Sequence, residues 1–152
     1  MRMLLLLSLL SIAPSFSVQA QSANALTQLS QARELWQTSA ISSYTYGYNK
    51  YCDCHGDTPP ETLVTVMAGK VTDVRHRLVN SDRVVPAAER NFYLYWTVQE
   101  LFELIDAAIQ RDAVVRVRYD ATFGYPTSFF IDYVADLIGD EVDIRVIRFE
   151  RA

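Results

Sequence analysis

The stretch from Thr97 to Asp132 constrains this chain most, because it specifies a helix start, a change of period and a turn in one short run. Thr97, Val98, Gln99 and Glu100 form a capping box. The Thr97 hydroxyl is placed to accept the backbone N–H of Glu100, and the Glu100 carboxylate to accept that of Thr97. Trp96 before the cap and Leu101 in the first turn suit a hydrophobic staple. Val98, Leu101, Phe102, Ile105, Ala108 and Ile109 then recur at helical spacing and give one apolar stripe. Glu100, Glu103 and Asp106 toward the start and Arg111 at the end suit the helix dipole. At Ala113 the period becomes alternating. Ala113, Val115, Val117 and Tyr119 share one face, Arg116, Arg118 and Asp120 the other, and Thr127, Phe129, Ile131 and Tyr133 return. The helix should therefore cover one face of an antiparallel hairpin. Asp120, Gly124, Tyr125, Pro126 and Asp132 are its structural turn residues, and Gly124 is the position expected to take a positive φ.

The upstream half repeats this order. Leu26, Leu29, Ala32, Leu35 and Trp36 predict a helix over residues 24–41, with Ser22 or Asn24 as cap. Ser43 to Tyr51 reads as a strand with Tyr44, Tyr46 and Tyr48 on one face and Thr45, Gly47 and Asn49 on the other. Those three rings either pack under a helix with their hydroxyls at the rim or line a ligand surface. Thr62–Met67 and Lys70–Leu78 form a second hairpin about Ala68-Gly69. Its return strand should turn Thr72, Val74, His76 and Leu78 away from Val71, Asp73, Arg75 and Arg77. Residues 79–96 carry no clear period; Pro86 is a candidate start for a helical turn, and Phe92 to Trp96 are a dense aromatic run. That run either plugs the core edge or adds Tyr93 and Tyr95 to the candidate ligand surface. A last strand spans residues 142–149. The expected fold is α+β, with two helices on one face of an antiparallel sheet of about six strands. The order of one helix and three strands occurs twice, as a duplicated unit would give.

Met1 to Ala20 reads as a secretory signal peptide: Arg2, a leucine-rich run from Leu4 to Leu10, Pro14, and Val18-Gln19-Ala20 as a cleavage site. The apolar run is too short to span a bilayer, which takes about twenty residues. Residues 21–152 are then expected as a single globular domain in the periplasm or outside the cell. Removing the segment takes one basic residue, leaving 13 of the 14 lysines and arginines against 18 acidic residues. An acidic balance argues against nucleic acid as partner, since phosphate binding needs clustered positive charge. Arg75 with Arg77, and Arg116 with Arg118, are same-face basic pairs whose plain reading is solvated strand positions.

Cys52-Asp53-Cys54 is the sharpest candidate site, and export favours pairing of its thiols. On an extended strand the two Cα atoms would sit near the roughly 6.8 Å upper limit for a disulfide, so the backbone must bend. A local disulfide pinning the strand end leads. A strained redox dithiol follows, as does a soft-metal site for copper(I) or zinc completed by His55 or His76. Asp132, Asp136, Asp140, Glu141 and Asp143 are a weaker candidate for calcium, beside the plainer reading of ion pairs to Arg145 or Arg118. No G-x-S-x-G elbow, P-loop or H-E-x-x-H helix occurs in the sequence. No cofactor is expected.

Trp36 before a Tyr-x-Tyr strand, Cys52-Asp53-Cys54, Val66 to Val71, Leu101-Phe102, Tyr119-Asp120, Gly124-Tyr125-Pro126, Ile131-Asp132 and Asp140-Glu141 together resemble DUF6174, an exported bacterial family of unknown function. The resemblance runs from about Leu35 to Phe149. It implies export and the fold above, and carries no activity or catalytic residue across. Two departures stand out: no lipid-attachment cysteine lies near the cleavage site, and Ala68 stands where the family more often has Asp. The function expected is a non-catalytic exported domain binding an envelope protein or a small ligand. The alternative is thiol redox or soft-metal handling at Cys52 and Cys54.

Overall fold

A computed structural model describes residues 16–51, 61–78, 80–134, 137 and 139–152, with side chains from residue 22 onward. Helix α1 spans Phe16–Thr38, followed by strands β1 (Tyr44–Tyr51), β2 (Thr62–Met67), β3 (Lys70–Arg77) and β4 (Val84–Pro86). A short 3₁₀ helix, Glu89–Leu94, leads into helix α2 (Val98–Gln110) and strands β5 (Val114–Tyr119), β6 (Pro126–Asp132) and β7 (Val142–Arg151). The seven strands form one antiparallel sheet in the order β4-β3-β2-β1-β7-β6-β5. The expected count of about six is thus one short. The missed strand has three residues and ends in Pro86, which cannot donate to a ladder and is tolerated because β4 is an edge. Pro86 ends a strand rather than starting a helical turn.

Helix α2 begins as its sequence specifies. Thr97 Oγ1 accepts from Glu100 N–H at 3.2 Å, and the Glu100 carboxylate accepts from Thr97 N–H at 2.7 Å. Its stripe, Val98, Leu101, Phe102, Ile105, Ala108 and Ile109, is buried. The helix ends on Asp112, whose φ of 58° lets Ala113 N–H reach back to Ala108 C=O and Asp112 N–H to Ile109 C=O. Helix α1 starts upstream of the expected residue 24 and stops at Thr38, two residues before Ala40 with a φ of 52°. Its buried contacts come from Leu29, Ala32 and Trp36. Those residues, the α2 stripe and the sheet positions Tyr44, Tyr46, Tyr48, Val64, Val66, Val74, Phe129, Ile131 and Ile144 make one hydrophobic cluster. Both helices therefore cover the same face of the sheet.

Three bulges, two within hairpins and one between β1 and β7, shift the strict alternation expected. Val66 pairs Val71 while Thr65 pairs Asp73, so Thr72 is the extra residue. Val71 consequently packs against the core and Thr72 is exposed, the reverse of the expected faces. Arg118 pairs Ser128 and Tyr119 pairs Pro126, which makes Thr127 the extra residue and buries Pro126 instead. On β7 the extra residue is Ile147, between Val146 opposite Tyr48 and Arg148 opposite Gly47.

One helix and three long strands do occur twice in chain order, but the strand paths oppose a rotational repeat. Read along the sheet, the halves run β3-β2-β1 and β7-β6-β5, so third-to-first in both, while β1 and β5 point in opposite directions. With both helices on one face, the two units have opposite hand.

Candidate functional site

The tyrosine row belongs to the core. Tyr44, Tyr46 and Tyr48 are 2%, 1% and 5% exposed, so they present no ligand surface. Trp36 meets Tyr44 edge-on at 5.3 Å, and Tyr46 and Tyr48 stack at 5.8 Å. Their hydroxyls are spent on the segment entering α2: Val98 N–H donates to Tyr44 Oη at 2.7 Å, and Tyr46 Oη donates to Trp96 C=O at 2.5 Å. Tyr48 bonds the Thr62 side chain, Thr62 Oγ1 lies 3.1 Å from His76 Nδ1, and His76 Nε2 lies 2.9 Å from Tyr95 Oη. Burial pushes the Tyr44 hydroxyl up to about 12 and raises those of Tyr46 and Tyr48 as well. Burial lowers the pKa of His76.

The aromatic run divides. Phe92, Tyr95 and Trp96 pack on the core, whereas Tyr93 is 79% exposed and Leu94 51%. The β5–β6 turn is structural throughout. Asp120 Oδ1 accepts from Thr122 N–H at 2.9 Å and Phe123 N–H at 2.7 Å, and Gly124 has a φ of 80°. A Cβ on Gly124 would lie 2.1 Å from the Ala32 carbonyl oxygen, so only glycine lets α1 rest on this turn. Tyr125 stacks on Phe149 at 4.3 Å, and Asp132 ends β6 opposite Val114.

Cys52, Cys54 and His55 lie outside the described residues, as does Asp136. In the acidic connection Asp140 Oδ2 accepts from Val134 N–H and Glu141 Oε2 from Gly139 N–H, both at 2.8 Å, so these carboxylates fold the loop on itself. Asp143 lies 3.7 Å from Arg145, and no pair to Arg118 is formed among the described residues.

The opposite face of the sheet carries no helix. Glu61, 3% exposed, sits there between Arg77 Nε at 2.9 Å and Arg148 Nε at 2.7 Å. Gly47 runs beneath this group: a Cβ there would come within 2.8 Å of Arg148 Cγ and Glu61 Oε1. Glu61 follows two prolines and has no periodic signal, so the sequence does not single it out. Farther along, Arg116, Arg118, Ser128, Phe130, Arg145 and Ile147 line a shallow groove of about 810 Å³. Arg116 lies 4.2 Å over the Phe130 ring and Arg145 4.6 Å over that of Tyr51. Arg116 and Arg118 are both exposed, as expected of solvated strand positions, and Arg116 in addition lies over a ring.

A model of the family of unknown function DUF6174 matches residues 28–151. The chain belongs to this family. A search of the curated proteins finds no match. The matched span takes in the tyrosine row, the Asp120–Pro126 turn and the helix-free face, so family membership covers the whole sheet. The residues that carried the resemblance divide by role. Trp36, Tyr44, Tyr46, Phe102, Gly124 and Ile131 hold the fold of this chain together, and Cys52 and Cys54 lie in sequence between β1 and β2.

Proposed function

We propose that the chain is an exported, non-catalytic binding domain of the periplasm or cell exterior, meeting an envelope protein or small ligand on the helix-free face of its sheet. The observation that carries this reading is sidedness. One face is closed by both helices, while the other holds Arg116 and Arg118 without a carboxylate partner among the described residues, and Arg145 with the Asp143 carboxylate 3.7 Å away. On a chain of formal net charge −4, cations gathered on one open face give an anionic partner a place to meet it. Export rests on the signal-like segment Met1–Ala20 and on the family resemblance.

The test is a photo-cross-linking scan in the producing cell, with the reactive residue placed at Ser128, Ile147, Tyr93 or Leu35. Discrete adducts from Ser128 and Ile147 support the sheet face. Adducts from Tyr93 alone favour a second reading, in which the exposed Tyr93 and Leu94 are the docking point. Silence at Ser128, Ile147 and Tyr93, or adducts from Leu35 alone, refutes both.

The Cys52–Cys54 pair is proposed as a local disulfide that pins the end of β1. Alkylation before and after reduction, read by intact mass and repeated after exposure to copper(I) and zinc, decides it. A bridge resistant to mild reductant fits the proposal, whereas free thiols or stoichiometric metal transfer the functional site to this motif.

A further inference from the structure

We infer that Arg118, Ser128 and Arg145 form an oxyanion site for the phosphoryl or carboxylate group of a small ligand. The inference rests on the binding reading above and supplies the chemistry of that surface. Ser128 on β6 pairs with Arg118 on β5 and with Arg145 on β7, so the three residues form one row across adjacent strands. Directly opposed residues share a face, and strands lie about 4.8 Å apart. The two arginine Cα atoms therefore stand about 10 Å apart with the serine hydroxyl between them. Arg145 rests over Tyr51 of β1, on the side of β7 away from Ser128, and its side chain is long enough to swing back across β7 to an anion held there.

Part of the row's hydrogen-bonding capacity is unused. Four arginines elsewhere meet carboxylates at hydrogen-bond distance: Arg33 with Asp106 at 3.2 Å, Arg75 with Asp73 at 2.6 Å, and Arg77 and Arg148 with Glu61. In the row, Arg118 has no such partner among the described residues, and the Asp143 carboxylate lies 3.7 Å from Arg145, beyond hydrogen-bond range. The Arg145 guanidinium lies over the Tyr51 ring, 4.6 Å from its centroid, as that of neighbouring Arg116 lies 4.2 Å from the Phe130 centroid. Stacking fixes the plane of a guanidinium while leaving its N–H donors free at the edge. Two forked cations and a hydroxyl are a donor set suited to an oxyanion, which can accept charge-assisted bonds from each. Protection of a sheet edge against strand pairing accounts for Arg116 and Arg118 on β5. It does not account for Arg145 on the interior strand β7 or for the serine between the cations.

The experiment is a titration of the ¹⁵N-labelled exported chain with inorganic phosphate, and separately with malonate, at constant ionic strength, followed by amide shifts. Saturable shifts centred on Ser128 and its cross-strand neighbours are expected. Arg118→Gln and Arg145→Gln should each weaken the interaction about tenfold. Arg75→Gln, which removes the same charge from another outer-face position, should leave it unchanged. Tighter phosphate assigns the site to a phosphoryl group, and tighter malonate to a carboxylate. No saturable shift with either anion, or an equal loss in Arg75→Gln, overturns the oxyanion site. If cross-linking from Ser128 and Ile147 persists in that case, the binding face stands with a different recognition chemistry, so the two failures are distinguishable.

Discussion

Single backbone positions carry much of the specification here. Gly124 combines a φ of 80° with contact against the α1 backbone, so even one added carbon must displace Ala32 or the turn. Gly124→Ala should cost about 3 kcal/mol, from overpacking together with left-handed strain. Equal thermal midpoints for variant and parent would contradict this. Ala68 presents the opposite case, since its φ of 48° beside Gly69 at 75° is the pattern of a type I′ hairpin turn. Alanine is a poor residue there. Ala68→Asn should raise stability by about 0.5–1 kcal/mol, read from the denaturant midpoint. His76 adds a pH dependence: burial lowers its pKa below the ordinary 6.5, so the unfolded chain binds its proton more readily. The corresponding stability is intact above pH 6.5 and is lost as pH falls through the depressed value. In His76→Gln, whose residue does not titrate, the loss of stability just below pH 6.5 should be smaller; an unchanged pH profile would exclude His76 as its source.

At the scale of elements, the start of α2 is fixed twice, by its own capping box and by hydroxyls reaching up from β1. Thr97→Ala should cost about 1 kcal/mol. Tyr44→Phe should cost about 1–2 kcal/mol, because it leaves the Val98 N–H without its acceptor in a buried place. The capping box and the apolar stripe were fully legible, because both are local patterns set within four residues. The hydroxyl contacts were not, since they join positions some fifty residues apart, and sequence reading could say only that a tyrosine row under a helix would carry its hydroxyls to the rim. Bulges at Thr72, Thr127 and Ile147 escaped notice because an extra residue changes which neighbours share a face without changing composition. Strand β4 escaped because three residues ending in proline give no period to read. The ends of both helices lack the usual glycine, using Ala40 and Asp112 instead, which is why α1 was expected to run to residue 41.

On the scale of the molecule, sequence patterning gave the two helices, the antiparallel sheet and the turn, while the candidate site came from register. Arg118, Ser128 and Arg145 are far apart in the chain and become a row only when β6 lies between β5 and β7. The buried tyrosines impose a further whole-molecule behaviour. Their hydroxyls are held protonated by burial, with Tyr44 at about 12 against an ordinary 10, so the unfolded chain releases these protons first. Stability should be unaffected below pH 10 and fall as pH rises from there toward 12, with ionisation of the buried tyrosines and loss of native circular dichroism rising together. Tyrosinate formation completed ahead of unfolding would contradict burial of the row. The sidedness of the sheet, with one face closed by aromatic packing and the other free of helices, is tested most directly by nitrating the folded protein and mapping modified tyrosines by mass spectrometry. Tyr93 should be modified rapidly, while Tyr44, Tyr46 and Tyr48 react only after denaturation. Rapid modification of those three in the folded state would place the row on an open surface and contradict the assignment of the two faces.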